Sequence, residues 1–202
     1  MDMALAMTMR APTREPVVYG YALETLLASA RPLLPFTGKA LERQGIFAGV
    51  PLHTAYPCSV WPAVIRLLAG STHPHLEREE AEHELGRRFG EHFIQARMGT
   101  VLQGFAQVVG TEQMLLRLSR TLRSTNNFLD VTLRPQGDEG GWELRLHPVR
   151  EFERHPRRQA DPPHFARGLL TYAFQHGGAP TARLTLADHD EGRATTTFHV
   201  SL

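Results

Sequence analysis

Phe128-Leu129-Asp130-Val131-Thr132-Leu133 alternates apolar with polar residues, and Trp142-Glu143-Leu144-Arg145-Leu146 does so again. Between the two runs lies Pro135-Gln136-Gly137-Asp138-Glu139-Gly140-Gly141, a cluster of turn-forming residues. A period of two puts successive side chains on opposite faces of a strand, so the two runs read as one antiparallel hairpin. Upstream the period is different. From Leu76 to Arg97 the apolar positions Ala81, Leu85, Phe89, Phe93 and Ala96 recur every three or four residues. That spacing makes a stripe along one face of a helix, which should turn to the core. Glu77, Glu79 and Glu80 fill the first turn, where the helix dipole favours anions.

Working outward from this change of period gives the order of elements. Val17 to Tyr21 can begin as a strand, and Ala22 to Ala30 is apolar at helical spacing ahead of Pro32. Phe36 to Gln44 predicts a short helix stopped by Gly45. Tyr56-Pro57 is expected to open a helix running through Trp61, Val64, Ile65 and Leu68 to Gly70, with Ser71 to His75 as a loop. Thr100 to Val109 and Thr111 to Ser124 predict two further helices before the hairpin. After the hairpin and a loop rich in Pro, Arg and Asp, His164 to Gln175 returns to helical spacing and stops at Gly177-Gly178. Ala182 to Ala187 and Ala194 to Leu202 alternate again around a turn at Asp188 to Gly192. Helices, hairpin, helix, hairpin is the pattern of an α+β domain, a helical layer packed on a small antiparallel sheet. Residues 1–16, Met-rich and ending in Pro16, are expected to be a flexible tail, and 17–202 a single domain.

Composition narrows the function. A chain of 202 residues buries roughly 70% of its unfolded surface and needs no disulfide or metal to hold it. Its net charge of +1, from 22 basic and 21 acidic residues, supplies no global field for nucleic acid. The run Arg154-His155-Pro156-Arg157-Arg158 sits among Pro and Asp and reads as a solvated loop. Cys58 is the single cysteine, so an intramolecular disulfide and a Cys-based metal site are both excluded. No apolar run is long enough to span a membrane and the N-terminus lacks a signal-peptide pattern, so the cytoplasm is the expected location.

Catalytic patterns are missing. There is no Gly-x-Ser-x-Gly elbow, no phosphate-binding loop and no His-Glu-x-x-His pair. His83 and His92 are nine residues apart on the long helix, about 900° of turn, and so face opposite sides. The expectation is a protein that is not an enzyme and carries no metal or other cofactor. Two features are unusual. Gly86 and Gly90 lie one turn apart and predict close approach of another backbone, from this chain or from a second copy in a homodimer. Asn126 and Asn127 stand at a helix-to-strand junction. They either cap local backbone groups, or an Asn amide and an Arg point into a cavity between helices and sheet.

Four segments in order carry a resemblance: Glu82-His83-Glu84-Leu85-Gly86-Arg87-Arg88-Phe89, Arg123-Ser124-Thr125-Asn126-Asn127-Phe128, Trp142-Glu143-Leu144 and Phe165-Ala166-Arg167-Gly168-Leu169-Leu170. Over roughly residues 17–202 the chain resembles a paralogous family of unknown function abundant in myxobacteria. More distantly, its order of elements is similar to that of three related groups: heme–nitric-oxide-binding domains, 4-vinyl-reductase ligand domains and TRAPP tethering subunits. The first two sense small molecules and the third assembles complexes. A heme-binding relative would place its proximal histidine near the end of the helix before the first hairpin, where this chain reads Arg120 to Asn127 without one. Its Tyr-x-Ser-x-Arg signature would fall on Leu146-His147-Pro148-Val149-Arg150, of which only Arg150 matches. The 4-vinyl-reductase domains carry cysteines near the final hairpin, where this chain has Asp188, His189 and Thr196.

The resemblance and the layered architecture together predict a non-catalytic sensory or regulatory module. A small apolar or acidic ligand would lie between the layers, where clefts usually form. The expected site comprises Phe89 and Phe93 of the long helix, Trp142 of the hairpin, and Asn126, Asn127 and Arg150 as polar rim. A homodimer and a protein partner in signalling are the expected associations. The alternative is a TRAPP-like scaffold whose core is filled by side chains and takes no ligand.

Overall fold

Val17–Tyr19 forms the first strand, β1, and pairs antiparallel with β2, Ala55–Pro57. In this computed structural model the structure describes residues 15–33, 35–97, 124–136, 141–153, 162–176 and 179–201. Between the two strands run α1, Gly20–Ser29, and α2, Pro35–Glu42, which ends ahead of Gly45 at a φ of 77°. Glu15 and Pro16 already contribute: Cys58 N–H donates to the Pro16 carbonyl and the Asn127 side chain to that of Glu15.

Tyr56-Pro57 belongs to β2, not to a helix. Tyr56 is buried opposite Val18, and Pro57, which has no N–H to donate, ends the short ladder opposite Val17. Helix α3 starts at Val60, with Pro62 in its first turn, and continues through Gly70 to Thr72. Ser71 and Thr72 continue the helix, and their hydroxyls donate to the Leu68 carbonyl at 3.0 and 2.8 Å and so have a partner without leaving it. Helix α4, Arg78–Arg97, buries Ala81, Leu85, Phe89 and Phe93 as its stripe requires. The two helices expected over residues 100–109 and 111–124 lie almost wholly outside the described residues.

The second half is a four-stranded antiparallel sheet in the order β3-β4-β6-β5. Its strands are β3 (Leu129–Gln136), β4 (Gly141–Pro148), β5 (Arg183–Asp190) and β6 (Thr195–Ser201). The two hairpins join because β4 pairs with β6, Leu144 opposite Phe198 and Arg145 opposite Thr197. Asp188 and His189, expected in the last turn, are strand residues: a register shift between Leu186 and Asp188 lets β5 run on to Asp190. The turn comes later and carries Ala194 at a φ of 51°.

Helix α5, Pro163–His176, joins the halves. Ala166, Leu170 and Phe174 pack with Leu144, Leu146, Phe198 and Val200 on the inner sheet face. Phe165 and Leu169, on its other flank, belong to the helical core with Trp61, Leu85 and Phe89. The crossing with α4 explains the glycines. A Cβ on Gly86 would overlap the Phe165 carbonyl, and one on Gly168 the His83 carbonyl, so each helix has a glycine where the other's backbone arrives. A Cβ on Gly90 would come within 3.2 Å of the Leu169 and Tyr172 side chains. The notch is thus filled by α5 of the same chain and offers no surface for a second copy.

Candidate ligand cavity

A cavity of about 30 Å³ lies where the helical layer, α5 and the sheet meet. Three aromatic rings form its helical wall. Trp61 of α3 stands edge-on to Phe89 of α4 and to Phe165 of α5, each with ring centroids 5.7 Å apart, and Phe89 lies 5.4 Å from Phe165. Such tilted contacts set the positive ring edge against the negative face. Leu129, Val131 and Leu146 close the sheet side, and Ala166, Leu169 and Leu170 the α5 side. Thr125 and Asn126 are the polar residues among the described lining.

Of the six expected site residues, the structure brings Phe89 and Asn126 to this cavity. Phe93 is buried one turn on, stacked against Phe89 at 5.4 Å, and is not among the lining residues. Trp142 packs half-buried at the other end of β4, with the sheet cluster. Arg150 is exposed and opens a 3-10 turn, Arg150–Phe152, so it forms no rim. Asn127 faces away: its Oδ1 accepts from Val17 N–H at 2.7 Å and its amide donates to the Glu15 carbonyl at 2.9 Å. Asn126 has local work as well. Its Oδ1 accepts from Phe128 and Leu129 N–H at 3.0 and 2.8 Å, and its amide donates to Thr125 Oγ1 at 3.1 Å. Sequence reasoning missed Trp61 and Phe165 as wall residues. Both sit on apolar helical stripes, the signal shared by every core residue.

A second, polar concavity opens at the N-terminal ends of α4 and α5, lined by Arg78, Glu79, Glu82, His164, His189 and Glu191 among others. Glu82 is buried and takes Arg78 Nε at 3.0 Å. His164 Nε2 lies 3.5 Å from Glu79 Oε2, while its buried Nδ1 has no hydrogen-bond partner among the described residues. Burial pushes the His164 pKa down, Glu79 opposes that, and Arg167 adds to it. Among the described residues no group of three or more His, Cys, Asp or Glu is arranged to hold a metal.

A helical layer, a four-stranded antiparallel sheet backed by one helix and a cavity between them define the fold of H-NOX domains. Similar solved structures include an H-NOX variant of K. algicida in its Fe(II) unliganded form, 12% identical with a TM-score of 0.52 over 91% of this chain and 95% of that one. An oxygen-binding H-NOX domain related to soluble guanylate cyclases is 13% identical, with a TM-score of 0.51 over 90% of this chain and 92% of that one. A T. tengcongensis H-NOX variant is 14% identical, with a TM-score of 0.50 over 91% and 96%. Residues 17–201 match the DUF2378 family, described as a protein of unknown function, and the chain belongs to it. No curated protein matches it.

The described residues around this cavity do not fit a heme, the group that the resemblance to heme–nitric-oxide-binding domains implies. About 30 Å³ is a small fraction of the roughly 300 Å³ or more of an ordinary ligand pocket. Trp61, Phe89 and Phe165, packed ring against ring, wall what space there is. No histidine lies between His92 and His147, the stretch leading into the first hairpin.

Proposed function

We propose that the protein is a non-catalytic sensory or regulatory module that binds a small, neutral, apolar ligand in the inter-layer cavity. The observation that supports this is the cavity's position. Trp61 and Phe89 of the helical core and Leu146 of the sheet core all line it, so an occupant touches both halves at once. An acidic ligand loses its motive, because Arg150 is elsewhere and the described lining contains no cation. At about 30 Å³ the cavity admits a guest of very few heavy atoms, and a larger one only if an aromatic wall residue turns aside.

The same volume favours the second reading, a protein-interaction domain whose core is filled. Xenon titration, followed by NMR of Leu and Val methyl groups, separates the two. Saturable shifts confined to Val131, Leu129, Leu146 and Leu169, abolished by Val131→Ile, are expected for a ligand cavity. One added methylene should fill that space without loss of stability. Absent shifts, together with a Val131→Ile variant destabilised by about 1–3 kcal/mol as overpacking requires, would establish the filled core.

A further inference from the structure

The outer face of the sheet, opposite α5, carries a feature independent of the cavity. Strand alternation puts Thr132 and Arg134 of β3 and Arg145 and His147 of β4 on this face, with Thr132 directly across from Arg145. Together with Arg193 and Thr195 at the start of β6, and with Glu153 beyond the 3-10 turn, they line a groove of about 490 Å³. Among the described lining residues three guanidiniums meet one carboxylate, that of Glu153, with Asp130 and Glu143 on the same sheet face beside the groove.

Among the described residues the charge is only partly neutralised. Glu143 stands opposite Arg134 in register, yet among the described residues no ion pair joins them, and Arg145 has no carboxylate partner either. Arg193 makes one exposed ion pair, 3.5 Å from Asp190. Arg134 and Arg145 are diagonal neighbours on paired strands, close enough for long side chains to reach one ligand between them. His147 Nδ1 bonds its neighbour's carbonyl, that of Pro148, at 3.0 Å, which leaves Nε2 for another partner. The concavity is of ordinary ligand size, and the guanidinium fork matches the two oxygens of a carboxylate or phosphate.

We propose that this groove is an anion site: it takes a small ligand bearing a phosphate or carboxylate group, gripped by Arg134, Arg145 and Arg193, with the Thr132 and Thr195 hydroxyls as further donors. Isothermal titration of the full chain at low ionic strength tests this, with inorganic pyrophosphate in one arm and citrate in the other. A saturable one-site isotherm is expected for at least one anion, and the tighter arm identifies the headgroup. Arg134→Gln and Arg145→Gln should each weaken it about tenfold, the worth of one charge-assisted contact. Arg183→Gln, an exposed arginine of β5 outside the groove, should leave it within about twofold. Both groove arginines are exposed, so melting curves of the two variants should overlay the parent and confirm the fold. No saturable heat from either anion would overturn the proposal, as would equal weakening by Arg183→Gln, the mark of general charge attraction.

Discussion

Asn126 shows how much one side chain contributes at the junction of the two halves. It is buried, and its Oδ1 is the acceptor for two successive backbone amides, those of Phe128 and Leu129. Val18 bridges to the same residue from β1. Asn126→Ala strands both amides, and a buried donor without a partner costs about 1–3 kcal/mol, so a loss of about 2–6 kcal/mol is expected by urea unfolding. Asn127→Ala removes one half-exposed acceptor, that of Val17 N–H, and should cost about 1 kcal/mol. Phe89 is the larger case. It meets Trp61, Phe93 and Phe165 and is 1% exposed, so Phe89→Ala should cost about 3–5 kcal/mol. Melts of Phe89→Ala and Phe93→Ala within a degree or two of the parent would show that the α4 stripe is not a core face.

At the scale of elements, the α4–α5 crossing is the joint of the molecule. Most helix pairs are held apart by side chains; here Gly86 and Gly168 remove them at the point of contact, each against the other helix's carbonyl. Gly168→Ala should therefore destabilise strongly, by about 3 kcal/mol or more, because rigid backbone must retreat. Gly90→Ala meets movable Leu169 and Tyr172 side chains at 3.2 Å and should cost clearly less. The ordering of these two melting temperatures, with Gly168→Ala the lower, checks the crossing. If Gly90→Ala proves equally damaging, α5 does not approach α4 as described.

At the scale of the whole molecule, burial lowers the pKa of three histidines among the described residues. His73, His83 and His164 all have pKa values pushed down, with desolvation the first cause and Arg88, Arg167 and Arg167 respectively adding to it. The unfolded chain protonates these rings near their ordinary value of about 6.5, but the folded chain resists until lower pH. Stability is therefore complete above that value and falls as pH drops below it. Melting temperature should be flat from about pH 7 to about 9 and decline below about 6.5, with Tyr172, its pKa raised by burial, destabilising the fold only at higher pH. His83→Gln and His164→Gln should flatten the decline, although Glu79 beside His164 reduces that residue's share. A profile unchanged in both variants would assign the pH dependence to other groups. Hemin titration checks the heme reading of the cavity: no sharp Soret band at one equivalent is expected, and one abolished by a single His→Ala change would overturn it.

The α4 stripe, the alternation of the β3–β4 hairpin and the return to helical spacing near residue 164 follow from local periodicity, and so did the α+β class. Periodicity reports which face of an element is apolar, but not what lies against that face. Only the tertiary structure made Gly86 and Gly168 reciprocal, put Phe165 and Trp61 around one space and carried Arg150 away from it. Tyr56-Pro57 became a strand because β1, a distant partner, needed a ladder, which no local preference encodes. The arginine groove was illegible for the same reason. Its residues are scattered over β3, β4 and the turn before β6, and strand pairing alone makes them neighbours.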